Sequence, residues 1–487
     1  MPQKRKQNVP GKSFRNKRGG SRYAQHTSYN KSGFSTSNSP EKGLGQTRFK
    51  QSSRRSDPSI IGNTYSTSGR HETKKPVPEV VLTRRNLLIG AAGLGGVALL
   101  GGGASMAIDA IEGSEQTVEY LEVPTSNVTN LESFSEVKAA DYATLVGSYK
   151  LTYGTLVWAD NDTVAACLVP GKTSSPLNTV ELLFLTTGST YAVLEAAQGA
   201  SEHYEIFDVR CSEKGIIWTE CNVLENNWRI YVAPLSGADL GEITLVDKGD
   251  SNWLTPSIAA VGNTAFWQTT PQTSGDNTKD DSWVKAVRFG SSSVSTIYTS
   301  RRAFATRICA IADGVVITPR VESTSTYYQL TKISESSLQT SDSLVLPTSM
   351  KPYEASWGKT GFSFSFESIY SYGGGIANLG TYTPMKAPSA YSYQGIPWFH
   401  FGRTPSSAPS WCGDWFVVKS TRAICAANLS SNVYFMIDVP SSTDDYGEYL
   451  ISGGTNAYIV GLSQITDVDD SSKNYALVRV YSPNSES

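Results

Sequence analysis

One short strand pattern recurs seven times along the back three quarters of this chain, and that recurrence predicts an all-β fold arranged as a β-propeller, seven blades favoured over six. Two further observations complete the expectation: a polar, basic stretch occupies the first eighty or so residues, and an uncharged apolar run follows it. The chain therefore divides into a disordered basic tail (1–83), one hydrophobic signal or transmembrane helix (84–110) and a propeller domain (116–483).

The recurring strand reads "TLVWAD" from Thr155, "GIIWTE" from Gly215, "TAFWQT" from Thr264, "GVVITP" from Gly314, "GFSFSF" from Gly361, "DWFVVK" from Asp414 and "NAYIVG" from Asn456. The starts are separated by 60, 49, 50, 47, 53 and 42 residues. Most copies are followed by a second strand ("NWRIYVAPL", "SWVKAVRF", "TYYQLTKI", "RAICAANL", "KNYALVRVY") and several by a third, such as "GEITLVDKGD" and "SVSTIYTS". Runs such as "EIFDVRCSEKG", "PSIAAVGN" and "FATRICAIADG" precede many of them. Runs rich in Val, Ile, Tyr, Phe, Trp and Thr between Gly, Ser, Asn and Asp turns are strands, and four of them per fifty residues is the arithmetic of a propeller blade. The fifth repeat is the weakest, because its "SIYSYGGGIANLG" reads as a loop. Trp158, Trp218 and Trp267 hold the same place in successive repeats, which suits flat fillers between blades better than ligand platforms. The last repeat supplies three strands, so "TVEYLEV" (Thr117–Val123) is expected to pair with it, closing the ring and removing two open sheet edges.

Charge is distributed unevenly. Met1–Arg85 holds 19 Lys/Arg against 4 Asp/Glu, whereas the remainder holds 23 against 40. A segment so polar, with few and aperiodic apolar residues, cannot offset the entropy of ordering. Its run "KRKQNVPGKSFRNKRGG" fits a solvated cytoplasmic tail first, contact with anionic lipid second and nucleic acid last. Leu87–Ile108 is uncharged for 22 residues, about 33 Å as a helix, enough to cross a hydrocarbon core. Its seven glycines would be costly in a soluble helix but are tolerated in a membrane. Basic residues lie upstream and Asp109, Glu112 and Glu115 downstream, which places the amino terminus in the cytoplasm and the acidic domain outside.

Thr83-Arg84-Arg85-Asn86-Leu87-Leu88 resembles the twin-arginine export signal: a hydroxyl residue, paired arginines, one free position and two apolar residues. Arg84, Arg85, Leu87 and Leu88 carry the resemblance, and Ser105-Met106-Ala107 adds a small-x-small pattern with cleavage after Ala107. The tail before the arginines is unusually long, and Ile89 stands where a basic residue is common, so retention as a single-pass anchor and cleavage to a secreted form both stay open. The resemblance implies a bacterial protein that folds before it crosses the cytoplasmic membrane through the twin-arginine export machinery. "GIIWTECNVLENNWRIYVAPLSG" (Gly215–Gly237) in turn resembles the TolB-like propellers, a family that implies envelope location and protein–protein contacts rather than catalysis.

No chemistry declares itself. His26 and His71 lie in the tail, and neither His203 nor His400 has a metal-spaced companion. There is no G-x-S-x-G. From Asp467, "DVDDSS" puts Ser472 and Val478 where a calcium loop needs Gly and Glu; it and "STDDYGEY" and "KDDSW" read as solvated turns. Six scattered cysteines without a C-x-x-C read as buried hydrophobes, with one or two bridges left open. No catalytic, cofactor-binding or metal-ligating residue is assigned, and no cofactor is expected. The expectation is a membrane-associated extracytoplasmic binding or scaffolding module for an envelope protein or glycan, favoured over an enzyme, with enzymatic activity left open. The alternative is a polysaccharide hydrolase or lyase with carboxylates at the channel mouth.

Overall fold

The computed structural model describes residues 118–484 apart from 174, 223, 273–279, 322, 324, 349, 367–374, 377–378, 390–391 and 403–406. All of them belong to the unit Val80–Ser487. Seven β-sheets follow one another along the chain. Each is a blade of four main antiparallel strands, entered from its innermost strand: Leu156–Trp158 in blade 1, Glu205–Cys211 in blade 2, Ser257–Val261 in blade 3, Cys309–Ile311 in blade 4, Glu354–Gly358 in blade 5, Ser410–Cys412 in blade 6 and Thr443–Leu450 in blade 7.

The cores explain why the second strands are apolar throughout. In Gly215–Asn222, Ile216 and Trp218 enter the core shared with blade 1, while Ile217 and Cys221 enter the core shared with blade 3. A strand covered on both faces has no polar side, so period-2 alternation disappears. Seven such cores lie between successive pairs of blades, and the seventh joins blade 7 to blade 1, so the sheets form a closed seven-bladed ring. The tight turns between first and second strands are built on residues that accept positive φ, as at Gly262 (51°) and Gly413 (59°).

The ring closes, but not with the strand expected. Ala143–Thr152 pairs antiparallel with Tyr475–Pro483 and completes blade 7 as its outermost strand. Residues 118–123 instead lie against blades 4 and 5: the Leu121 amide donates to the Val345 carbonyl, and Leu121 and Val123 are buried in the core between those blades. The alternation in "TVEYLEV" thus reflects two side chains reaching inward from a strap rather than a ladder strand. From there the strap runs along the rim. Val128–Asn130 pairs parallel with Trp398–Phe401 on blade 5, and Ser135–Glu136 pairs parallel with Val433–Met436 on blade 6, before the closing strand begins. One continuous segment therefore covers four consecutive outer edges, and edge pairing of this kind removes a template for aggregation.

The first repeat also needs its frame corrected. "TLVW" is the innermost strand of blade 1, and Val164–Pro170 is the second strand equivalent to Gly215–Asn222. Counted from Val164, the spacing to Gly215 falls into step with the later repeats. Trp218 and Trp267 are the buried fillers expected between blades; Trp158 is partly buried against the same core between blades 1 and 2 as Trp218, and carries the Arg210 guanidinium 4.2 Å over its ring.

Candidate binding site in the channel

Inner strands bring their first residues to one end of the central channel and their hairpin turns to the other. At the turn end the connection between the first two strands of blade 7 is long. Its Gly454–Asn456 runs parallel to Ser410–Cys412 of blade 6, and Gly454 packs so closely on Ala310 and Ile311 of blade 4 that a Cβ would clash. The Ala159 amide donates to the Ile451 carbonyl, and the Ala457 amide to Asp162 Oδ1, which ties the same connection to blade 1. Backbone therefore crosses this end of the channel.

Behind it sits a group of charged side chains that the sequence reading did not single out. Asp208, on the inner strand of blade 2, is almost fully buried and accepts from Arg210 Nη1 through Oδ1 and from Arg307 Nη2 of blade 4 through Oδ2, the latter at 2.5 Å. Arg210 Nε lies 3.6 Å from Asp160 Oδ2, too long for a hydrogen bond, and that oxygen is buried without a hydrogen-bond partner among the described residues. Burial pushes the Asp160 carboxyl up to about 6; Arg210 opposes the rise and Asp208 adds to it. Cys309, on the same axis, has its thiol pushed up to about 12, mainly by burial. A charge inside an apolar inner strand, as in "FDVRC", or just before one, as in "ATRIC", was the available signal, but its partners come from blades about fifty or a hundred residues away.

The start end of the channel differs. A β-bulge between Ile206 and Asp208 ejects Phe207 from the ladder, leaving it 54% exposed. The loop between the second and third strands of blade 1 is latched beside it, with the Leu177 amide donating to Glu205 Oε2 and Asn178 Nδ2 to the Ile206 carbonyl. Leu177 is 46% exposed, and the Arg307 side chain is 62% exposed. Two apolar side chains and one guanidinium thus border the mouth.

The other residues raised by the sequence take structural places. His400 is on the outer strand of blade 5, stacked 4.5 Å from the Tyr382 ring, with Nδ1 against Asn130 Oδ1 and Nε2 against the Leu379 carbonyl. It pins the strap, and burial holds its pKa below the ordinary value. His203 ends a short 3-10 turn in the left-handed conformation at 66°. Asp467 Oδ1 accepts from the Asp469 and Asp470 amides, so the acidic cluster there is a self-bonded turn. No group of three His, Cys, Asp or Glu side chains with metal-holding geometry occurs among the described residues. All six cysteines are free. Arg84, Arg85, Leu87, Leu88 and Ala107 lie outside the described residues, and among the described ones no helix is long and apolar enough to cross a membrane.

No family model and no curated protein matches the chain. Solved structures with a similar arrangement include an oligogalacturonate lyase from Vibrio parahaemolyticus (TM-score 0.40, 8% identity, covering 69% of this chain and 97% of that one). Another is the β-propeller domain of the Trilobed protease from Pyrococcus furiosus (0.41, 9%, 71% and 98%). A third is TolB from Acinetobacter baumannii (0.33, 10%, 67% and 65%). The chain spans about half the length of the prolyl endopeptidase, puromycin hydrolase and acylaminoacyl peptidase structures it also matches. At such identities the likeness is one of fold, and the fold itself, a seven-bladed β-propeller, is established by the chain's own sheets and cores.

Proposed function

We propose that the protein is a membrane-associated, extracytoplasmic β-propeller that acts as a binding or scaffolding module in the bacterial cell envelope. Its location rests on the twin arginine, the uncharged span and the charge asymmetry of the sequence. Binding rather than catalysis rests on a single observation: the axial carboxylates are locked away while recognition groups are exposed. Asp208 keeps only 4% of its side chain exposed and holds two arginines, whereas Arg307, Phe207 and Leu177 face the solvent at the mouth. A catalytic acid or base must come within hydrogen-bond reach of substrate, and neither Asp160 Oδ2 nor Asp208 offers that reach.

A hydrolase or lyase is the second reading. It draws on Asp160 and Asp208, two carboxylates around one arginine in different environments, a pattern found in acid–base pairs. One experiment tests the location and a second separates the readings. Arg84→Lys/Arg85→Lys should trap the folded domain in the cytoplasm, and unimpaired export would end the twin-arginine part of the proposal. Affinity capture with the exported domain, run beside depolymerisation assays on acidic polysaccharides, should yield a bound partner and no turnover. Turnover abolished by Asp160→Asn or Asp208→Asn would establish the enzyme instead.

A further inference from the structure

Resting on the reading of the uncharged span as a membrane anchor, we propose that the propeller lies with its start end on the outer surface of the bilayer, docked through apolar side chains on its loops. Successive strands of a blade run in opposite directions, so the hairpins between second and third strands, and the connections between blades, all lie at the start end. Leu224, in that hairpin of blade 2, is 92% exposed, and Val468, in that of blade 7, is 99% exposed. Leu177 and Leu379 end the same loops of blades 1 and 5, and Tyr153 lies in the connection from blade 7 to blade 1; all three are exposed. Among the described residues no large apolar side chain is exposed in a turn at the opposite end.

The chain enters the ring at the same end. The Tyr120 ring stacks 5.8 Å from that of Tyr327, the first residue of the third strand of blade 4, and the Leu121 amide donates to the carbonyl of Val345, the last residue of its fourth. Both partners are start-end residues. Only nine residues, Asp109 to Thr117, separate the uncharged span from Val118, and they reach at most about 35 Å. The anchor is therefore tied to the rim that carries the exposed tips. These tips come from blades 1, 2, 5 and 7, whereas a protein partner is marked by one contiguous apolar patch; a lipid plane can meet separate projections singly. The tether makes docking intramolecular, so weak contacts suffice. Glu225 follows Leu224, and Asp467 and Asp469 flank Val468, which keeps the contact at headgroup depth and removes any need for anionic lipid. In this orientation the channel mouth faces the membrane and the end crossed by backbone faces away.

The test uses the full chain reconstituted in phosphatidylcholine vesicles, with a fluorophore on Leu224→Cys, on Val468→Cys or, at the opposite end, on Ser292→Cys, which lies in the exposed turn between the third and fourth strands of blade 3. Labelled wild type sets the background from the six native thiols. Lipids carrying a nitroxide near the headgroup should quench the Leu224→Cys and Val468→Cys labels at least twofold more than the Ser292→Cys label. All three sites are exposed, so melting temperatures should match that of wild type. Adding Val468→Asp should at least halve the quenching of the Leu224→Cys label, because an apolar contact is lost. Equal quenching at all three sites, stronger quenching at Ser292→Cys, or no effect of Val468→Asp would overturn the inference. Flotation of the same vesicles separates this outcome from failure of the reading beneath it. A chain that floats yet shows equal quenching removes the docked face and leaves the membrane-associated reading intact. A chain that does not float counts against both.

Discussion

The rim strap ought to be part of the cooperative fold, and two substitutions can decide it. Leu121, 1% exposed, lies in the core between blades 4 and 5. Phe134, 7% exposed, lies in the core between blades 5 and 6, with its ring 5.0 Å from that of Phe399. Truncating a buried leucine to alanine costs about 2–5 kcal/mol, and a buried phenylalanine about 3–5 kcal/mol, when the neighbours stay in place. Two outcomes are distinguishable because the strap is held by short ladders only, three residue pairs on blade 5 and two on blade 6. If it opens together with the blades, Leu121→Ala and Phe134→Ala each cost those amounts and add in the double variant, since the sites lie in different cores. If it peels first, the second substitution costs little, because the strap's own opening energy caps the total. We expect additivity, given that the same segment continues into the strand that closes the ring. Urea unfolding followed by tryptophan fluorescence measures it, and a Leu121→Ala shift below about 0.5 kcal/mol would refute the reasoning.

Further outcomes follow from individual sites. Asp160 has its carboxyl raised above the ordinary 3.8 to about 6, so its contribution to stability is present below pH 3.8 and lost as the pH rises through 6. Asp160→Asn cannot suffer that loss, and thermal unfolding should show it more stable than wild type at about pH 7.5, by up to about 3 kcal/mol at 1.36 kcal/mol per unit, with little difference at about pH 4; no pH dependence of the difference would contradict the burial assigned to this group. Gly358→Ala would place its Cβ in the Trp411 ring, which is 1% exposed, and should lower stability by about 1–3 kcal/mol, read as a fall in melting temperature. Burial pushes the Cys221, Cys412 and Cys425 thiols up to about 12, so native protein should react slowly with a thiol reagent at about pH 8, and denatured protein should titrate six free thiols. Fewer than six would reveal a disulfide.

Much of the fold was legible because blade structure is local. Strand, tight turn and strand again at a fifty-residue period requires only short-range residue chemistry, and sandwiching each blade between two neighbours forces the continuous apolar runs seen in "GIIWTECN" and "TAFWQT". The fifth blade's weak stretch was ambiguous for the same reason: "SIYSYGGGIANLG" has the residues of a loop, and most of it lies outside the described residues. Trp158 was misframed because the short inner strand of blade 1 ends in the same Trp that marks second strands elsewhere.

Ring closure and the axial site were decided by tertiary structure alone. Ala143–Thr152 is largely exposed, as the outermost strand of a blade must be, so its sequence lacks the apolar signature that marks the inner strands. "TVEYLEV" alternates better and pairs less, because an edge is chosen by the register and geometry of the whole ring, not by the strand that could fit it. The Asp160–Arg210–Asp208–Arg307 group joins blades 1, 2 and 4 across the channel. Sequence determines which residues carry charge in an apolar strand; only the circle of blades determines which of those charges meet.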